Sequence, residues 1–280
     1  MERKTLIKPF VFVAIFLIMN FVTNAQKLPN VQKESLRASK EIKIDGKLAD
    51  WDKGFQAYNK STSVFYTISN DDDNLYLAIQ AKDPTVITKI ILGGITLTID
   101  TSDAKKNEGN NVAITFPIYD KTEQPVYLVV DKQQKGEANV DNAGSNSIMM
   151  EHNKKLTGKL KLIGVKGIDE IQDSIISIYN ANGIKAAALF DDQLDYSYEL
   201  ALPLRYLGVT AIRPVKLNYN IKLNGAAGSG TNIQSLPGGR GISWTGADGI
   251  SYRSGGTPAD YIITFPTDFS SDYNLIEYLY

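Results

Sequence analysis

From Glu41 onward the sequence holds a period of two and breaks it at short intervals with Gly, Asn, Asp or Pro. Successive side chains leave a pleated backbone on opposite faces, so this alternation specifies strands rather than helices. Val64, Tyr66 and Ile68 alternate with Phe65, Thr67 and Ser69 until Asn70-Asp-Asp-Asp-Asn74 turns the chain. Leu75, Leu77 and Ile79 then point one way, and Asp83-Pro84 ends the run, because proline cannot donate to a ladder. The two runs read as an antiparallel hairpin. Ile95, Leu97 and Ile99 repeat the pattern up to Asp100, and segments 112–116, 125–130, 174–179 and 183–189 follow. The clearest alternation sets Tyr196, Tyr198, Leu200 and Leu202 against Ser197, Glu199 and Ala201, and Leu217, Tyr219, Ile221 and Leu223 against Asn218, Asn220 and Lys222. Apart from a short helical turn at Pro203–Leu207, no stretch longer than about ten residues keeps a clean helical period. Many short strands without helical crossovers argue against a βαβ fold. The expectation is an all-β chain, a two-sheet antiparallel β-sandwich.

The first 25 residues stand apart. Arg3, Lys4 and Lys8 precede the apolar run Phe10–Met19, and Thr23 and Ala25 place small residues at the -3 and -1 positions of a cleavage after Ala25. This is the pattern of a secretory signal peptide, and its apolar run is shorter than the ~20 residues that span a bilayer. A mature chain from Gln26 would carry no membrane span and would be periplasmic or extracellular. Residues 26–40 are polar and aperiodic and read as an N-terminal arm; residues 41–280 read as one sandwich domain.

Composition then removes whole classes of chemistry. The chain has no cysteine, which excludes disulfides, thiolate metal sites and cysteine nucleophiles. It has 30 Lys+Arg against 31 Asp+Glu, so it lacks the broad basic excess that nucleic-acid backbones require, and nucleic acid is not an expected partner. Its single histidine is His152, beside Asn153 and two lysines, and it reads as an exposed or turn residue.

Three motifs stand in a definite order. In Glu41-Ile-Lys-Ile-Asp-Gly-Lys-Leu-Ala-Asp-Trp51, Ile42 and Ile44 share a face, Asp45-Gly46 turns, and Trp51 returns a large ring to the sheet as a plug. An acidic turn precedes Leu75-Tyr76, and Tyr198-Glu-Leu-Ala-Leu-Pro-Leu-Arg-Tyr-Leu207 follows late in the chain. This succession resembles the family 9 carbohydrate-binding modules and their secreted bacterial relatives. The resemblance implies a β-sandwich that binds saccharides without catalysing their hydrolysis, in founding members by stacking the sugar between two tryptophans at one end. This chain has two tryptophans in all, and Trp51 belongs to the plug, so that clamp does not carry over by position.

The ligand candidates lie elsewhere. Between Gly225 and Gly256 fall ten of the 22 glycines, with Arg240, Trp244, Tyr252 and Arg253 among them and Asn224 at the entry. A long glycine-rich segment in a compact domain is characteristically functional or disordered. Aromatic rings suit the C–H face of a pyranose, and guanidinium or amide groups suit its hydroxyls or a uronate. Trp244 and Tyr252 are therefore the expected stacking residues, with Arg240, Arg253 and Asn224 as hydrogen-bonding partners. The opposing expectation is a surface loop whose Trp244 tucks back onto the sandwich.

Other readings rest on less. Asp100 and Asp103 open an oxygen-rich loop and are weak calcium candidates; Asp71–Asn74 reads as a solvated turn. Met149, Met150 and His152 raise the haem b binding of the related DOMON-type sandwiches, but neighbours on one element are poorly placed for opposite faces of a porphyrin. A glycosidase needs a defined pair of carboxylates, and nothing marks one. The leading expectation is a carbohydrate-binding protein, with a secreted hydrolase as a partner it could serve; the main alternative is a structural or protein-interaction sandwich with no sugar site.

Overall fold

The computed structural model describes residues 27–39, 42–100, 111–119, 142–210, 215–226, 233–235, 242–245, 251–254 and 257–276. One antiparallel sheet has five strands, β1 (Ala57–Asn59), β2 (Val64–Asn70), β3 (Asn74–Ala81), β8 (Lys185–Phe190) and β9 (Tyr196–Pro203), in the order β1-β2-β3-β9-β8. A second has six, β4 (Ile95–Asp100), β5 (Val112–Ile118), β6 (Leu162–Lys166), β7 (Ile175–Ser177), β10 (Lys216–Leu223) and β14 (Thr267–Asn274), in the order β14-β10-β4-β5-β6-β7. The protein is an all-β, two-sheet antiparallel sandwich. A small third sheet joins β11 (Ile233–Ser235), β12 (Ile242–Thr245) and β13 (Ser251–Ser254).

The apolar faces expected from the alternation are the ones buried. Val64, Tyr66 and Ile68 on β2 and Tyr198, Leu200 and Leu202 on β9 belong to one continuous core with Ile95, Leu97 and Ile99 on β4 and Leu217, Tyr219 and Ile221 on β10. Each large side chain removed from water contributes roughly 1.5–3 kcal/mol, so this cluster is the main stabilising feature of the fold. Two of its tyrosines meet across the sheets. The Tyr66 and Tyr219 hydroxyls lie 2.9 Å apart, and the Gln32 N–H donates to the Tyr66 oxygen at 2.8 Å.

Two helices were not legible in the periodicity. Asp83-Pro84 ends β3 and also starts α1 (Pro84–Gly93): the Asp83 carboxylate accepts from the Thr85 and Val86 N–H groups at 2.8 and 3.2 Å, and proline occupies the first turn, where its missing N–H has no intrahelical role. α1 buries Val86, Ile87, Ile90 and Ile91. α2 (Asn142–Lys159) packs on β8, and Asn153 holds that strand edge through both ends of its amide. The amide donates to the Phe190 carbonyl at 2.9 Å and accepts from the Phe190 N–H at 2.7 Å, as a neighbouring strand would. This corrects the expectation for His152, which is buried on α2 with its ring centroid 5.4 Å from that of Phe190. Among the described residues no helix is long and apolar enough to cross a membrane.

Residues 27–39 lie against the sandwich. The Pro29 carbonyl accepts from the Tyr58 N–H, the Gln32 side chain bonds both main-chain groups of Ile68, and the Leu36 carbonyl accepts from the Asn70 N–H. The leader-like residues 1–25 and the strand expected at 125–130 lie outside the described residues.

Candidate functional site

Two tryptophan-bearing regions come from the sequence motifs, and the first is the plug. Residues 42–51 cover the outer face of β9. Ile42, Ile44 and Trp51 pack as a satellite cluster on Ala38, Tyr76 and Ala201, although residues 42–44 form no strand. At the centre of the covered face is Glu199, which is 0% exposed. One of its oxygens accepts from the Asp45 and Gly46 N–H groups at 3.0 and 2.7 Å, and the other accepts from the Trp51 indole N–H at 2.7 Å. Gly46 adopts φ +86, and a side chain there would run into Leu189 and the β8 backbone, so the turn requires glycine.

Two motifs of the sequence, the strand–turn–Trp opening and the late Glu-containing strand, are thus joined through one carboxylate. Burial raises the Glu199 pKa to about 7, while the three N–H donors pull it down. No cation is bonded to the carboxylate among the described residues. Hydrogen bonds to a charged acceptor are worth roughly 1.5–3 kcal/mol each, and burying an ionised carboxylate costs several kcal/mol. The two effects are comparable, which makes Glu199 a structural staple sensitive to its own ionisation. Fully buried and engaged by three donors of the plug, its carboxyl is closed off from solvent.

The second region is the small sheet in the glycine-rich segment. Its register pairs Ile233 with Trp244, and Trp244 with Tyr252; the neighbouring pair is Ser243 with Arg253. Directly opposed residues of an antiparallel ladder share a face and adjacent residues alternate. Positions 244 and 252 therefore share one face of the sheet, and position 253 belongs to the other. The expected stacking pair is brought together, and Arg253 is separated from it. Arg240 lies outside the described residues.

Asn224 is buried at the end of β10 and already employed. Its amide donates to the Gly93 carbonyl and to Thr96 Oγ1, each at 3.0 Å, and its main-chain N–H donates to the Gly94 carbonyl. It ties the end of β10 to the end of α1, where the chains approach so closely that a Cβ on Gly93 would overlap the Gly225 backbone. This packing role leaves its side chain no donor for a sugar hydroxyl.

The remaining candidates are dispersed. Asp100 ends β4, and Asp103 lies outside the described residues. The acidic turn is closed internally: Asp71 accepts from the Asp73 and Asn74 N–H groups and from the Tyr76 hydroxyl, and Asp72 meets Arg37 at 2.7 Å. Among the described residues no group of three or more His, Asp or Glu is placed to hold a metal ion. Met149, Met150 and His152 lie on a helix, Met149 against the core and Met150 66% exposed.

One buried cation escaped the sequence reading. Lys89 on α1 is 1% exposed, donates to Thr267 Oγ1 at 2.8 Å, and has its pKa lowered to about 8 by burial. A lysine among Ile87, Ile90 and Ile91 is identifiable only once the helix itself is recognised.

No protein-family model matches the chain, and no curated protein matches it.

Proposed function

We propose that the protein is a secreted, non-catalytic carbohydrate-binding β-sandwich whose ligand stacks on Trp244 and Tyr252. The observation that carries the reading is the cross-strand register of these two residues on one face of the small sheet. Two aromatic residues at directly opposed ladder positions suit the flat apolar platform that a pyranose C–H face needs. Support for the wider assignment comes from the leader-like residues 1–25 and from the sandwich architecture, with its opening motif and late Glu-containing strand stitched together at Glu199. Arg240 supplies a planar donor in this reading. Arg253, at an opposite-face position, and Asn224, with its amide engaged, contribute less.

Affinity in the micromolar to millimolar range is expected, because each hydroxyl contact exchanges for one made with water. The test is calorimetric titration of Gln26–Tyr280 with mono-, oligo- and polysaccharides, uronates included. Saturable binding that weakens about tenfold or more in both Trp244→Ala and Tyr252→Ala, while Arg253→Ala has a smaller effect, supports the reading. Absence of binding across the panel by folded protein overturns it.

A further inference from the structure

The plug is joined to the sandwich at a single point. Among the described residues, every hydrogen bond that residues 42–51 make to a strand ends on the Glu199 carboxylate, from the Asp45 and Gly46 N–H groups on one oxygen and from the Trp51 indole N–H on the other. Their other bonds are local. The Lys43 N–H donates to the Asp50 carboxylate, the Lys47 N–H to the Asp45 carboxylate and the Trp51 main-chain N–H to the Leu48 carbonyl, all within the plug, while Ser39 Oγ donates to the Asp50 carbonyl from the arm. Packing adds a small contact to this tether. Ile42, Ile44 and Trp51 rest on Ala38, Tyr76 and Ala201 in a cluster separate from the main core. On the side toward the arm the contact is incomplete: a recess of about 20 Å³ lies between residues 36–39, residues 50–54 and the outer face of β2. Ser69 lines it, is 3% exposed, and has a hydroxyl with no hydrogen-bond partner among the described residues.

The tether is also ionisable, and its surroundings do not balance its charge. From the plug, Asp45 adds a charge of the same sign, Asp50 is half-buried against the Lys43 N–H, and Lys43 and Lys47 are exposed. From β8, Ala187 stands opposite Glu199, and the nearest charged position on that face, Lys185, is exposed and two residues further along. From β3, Ala78 stands opposite, flanked on the same face by Gln80 and by Tyr76, whose hydroxyl donates to Asp71. Within β9, Ser197 and Ala201 complete the face.

We propose that the plug is a pH-dependent strap, closed over β9 in acid and opening as a unit, with the sandwich still folded, more and more often as the pH rises through neutrality. A single ionisable tether and a small satellite cluster allow residues 42–51 to leave without disturbing the main core. The closed strap keeps Glu199 out of water, where burial holds its pKa at about 7; opening returns it to water and to its ordinary value of 4.5. The closed state therefore holds the proton more tightly than the open one. Closure is most favoured below pH 4.5 and weakens as pH rises toward 7. Opening uncovers a strip of Tyr76, Ala78 and Ala201 together with the apolar side of the strap itself. This device is separate from the saccharide reading and does not depend on it.

The test is residue-resolved hydrogen exchange of the purified protein from pH 5 to pH 8, with intrinsic exchange rates divided out and a parallel series in low urea. The Asp45 and Gly46 amides and the Trp51 indole N–H are expected to exchange together, through an opening insensitive to low urea. The equilibrium constant of that opening is expected to rise on the order of fiftyfold across the range. The Leu97 and Ile221 amides, on strands paired on both sides in the six-stranded sheet, should exchange far more slowly and respond to urea as global unfolding does. In Glu199→Gln the strap opening should lose its pH dependence. Because the chain has no cysteine, Ala201→Cys gives an independent reading: its thiol, beneath the strap, should gain reactivity toward a neutral thiol reagent more steeply with pH than a free cysteine does. The proposal is overturned if the opening constant is flat or falls with pH, if the three protons exchange only together with Leu97 and Ile221, if the Ala201→Cys thiol follows free cysteine, or if Glu199→Gln keeps the slope of the parent.

Discussion

On its outer face, β9 carries Glu199, fully buried and met by three N–H donors; on its inner face it carries Tyr196 and Tyr198, equally buried, whose hydroxyls have no hydrogen-bond partner among the described residues. Burial raises the pKa of both tyrosines, and they remain neutral. The difference follows from what each side chain brings with it. Burying a tyrosine ring returns roughly 1.5–3 kcal/mol of hydrophobic stabilisation, which offsets the roughly 1–3 kcal/mol lost by an unpaired hydroxyl. A glutamate has no such area, and only a designed set of donors makes it tolerable. A strand buried on both faces can therefore leave a hydroxyl unpaired without harm, whereas a carboxylate must be enclosed by structure built for it.

The largest effect expected from this contrast is that of Glu199→Ala. It strands two main-chain N–H groups and the Trp51 indole, and should lower stability by about 3–5 kcal/mol in urea unfolding, with a red-shifted Trp51 emission as the plug loosens. A cost below about 1 kcal/mol would break the comparison.

pH gives the next effect. The folded pKa of Glu199, about 7, is above its unfolded value of 4.5, so the folded state holds a proton that the unfolded state has released. The stabilisation is full below pH 4.5 and is lost as pH rises toward 7, by up to about 3 kcal/mol from this group. Glu199→Gln should flatten the unfolding free energy across that window. Lys89 has the opposite sign in a separate window: its folded pKa of about 8 lies below the unfolded 10.5, so stability should rise with pH between those values and the rise should vanish in Lys89→Met.

The smallest effect sharpens the inner-face half. Tyr198→Phe should be neutral or stabilising by about 1 kcal/mol, because it removes a buried hydroxyl that has no partner among the described residues. Tyr66→Phe, which breaks the bonds to Tyr219 and Gln32, should instead cost about 1–2 kcal/mol under the same denaturation assay.

The strands were readable where one face is buried and the other open, as in β4 and β10, because alternation then appears as composition. The helices were not. In α1 the run Thr85-Val-Ile-Thr-Lys-Ile-Ile-Leu92 has the β-branched character of a strand, and only the Asp83-Pro84 cap distinguishes it. In α2 the inward stripe consists of Ile148, Met149, His152 and Leu156 among polar residues, too thin for a period to show. The outer face of β9 was hidden for a different reason. Ser197, Glu199 and Ala201 have the polar-to-small character of a solvent face, and their burial is created by residues more than a hundred positions earlier. The candidate platform was legible as residue types; its register, which separates Arg253 from Trp244 and Tyr252, was not.

The bonds between Leu36 and Tyr273 join residues separated by 237 positions, and those between the plug and Glu199 span about 150. Loop-closure entropy must be met before such contacts yield any return, so they form late and make folding slow. A chain emerging from its N-terminus first must carry the plug without Glu199 until β9 has followed, and Leu36 without Tyr273 until β14 has. Removal of β14 should therefore loosen the first described segment at Leu36 while its bonds from Pro29 and Gln32 to β1 and β2 persist.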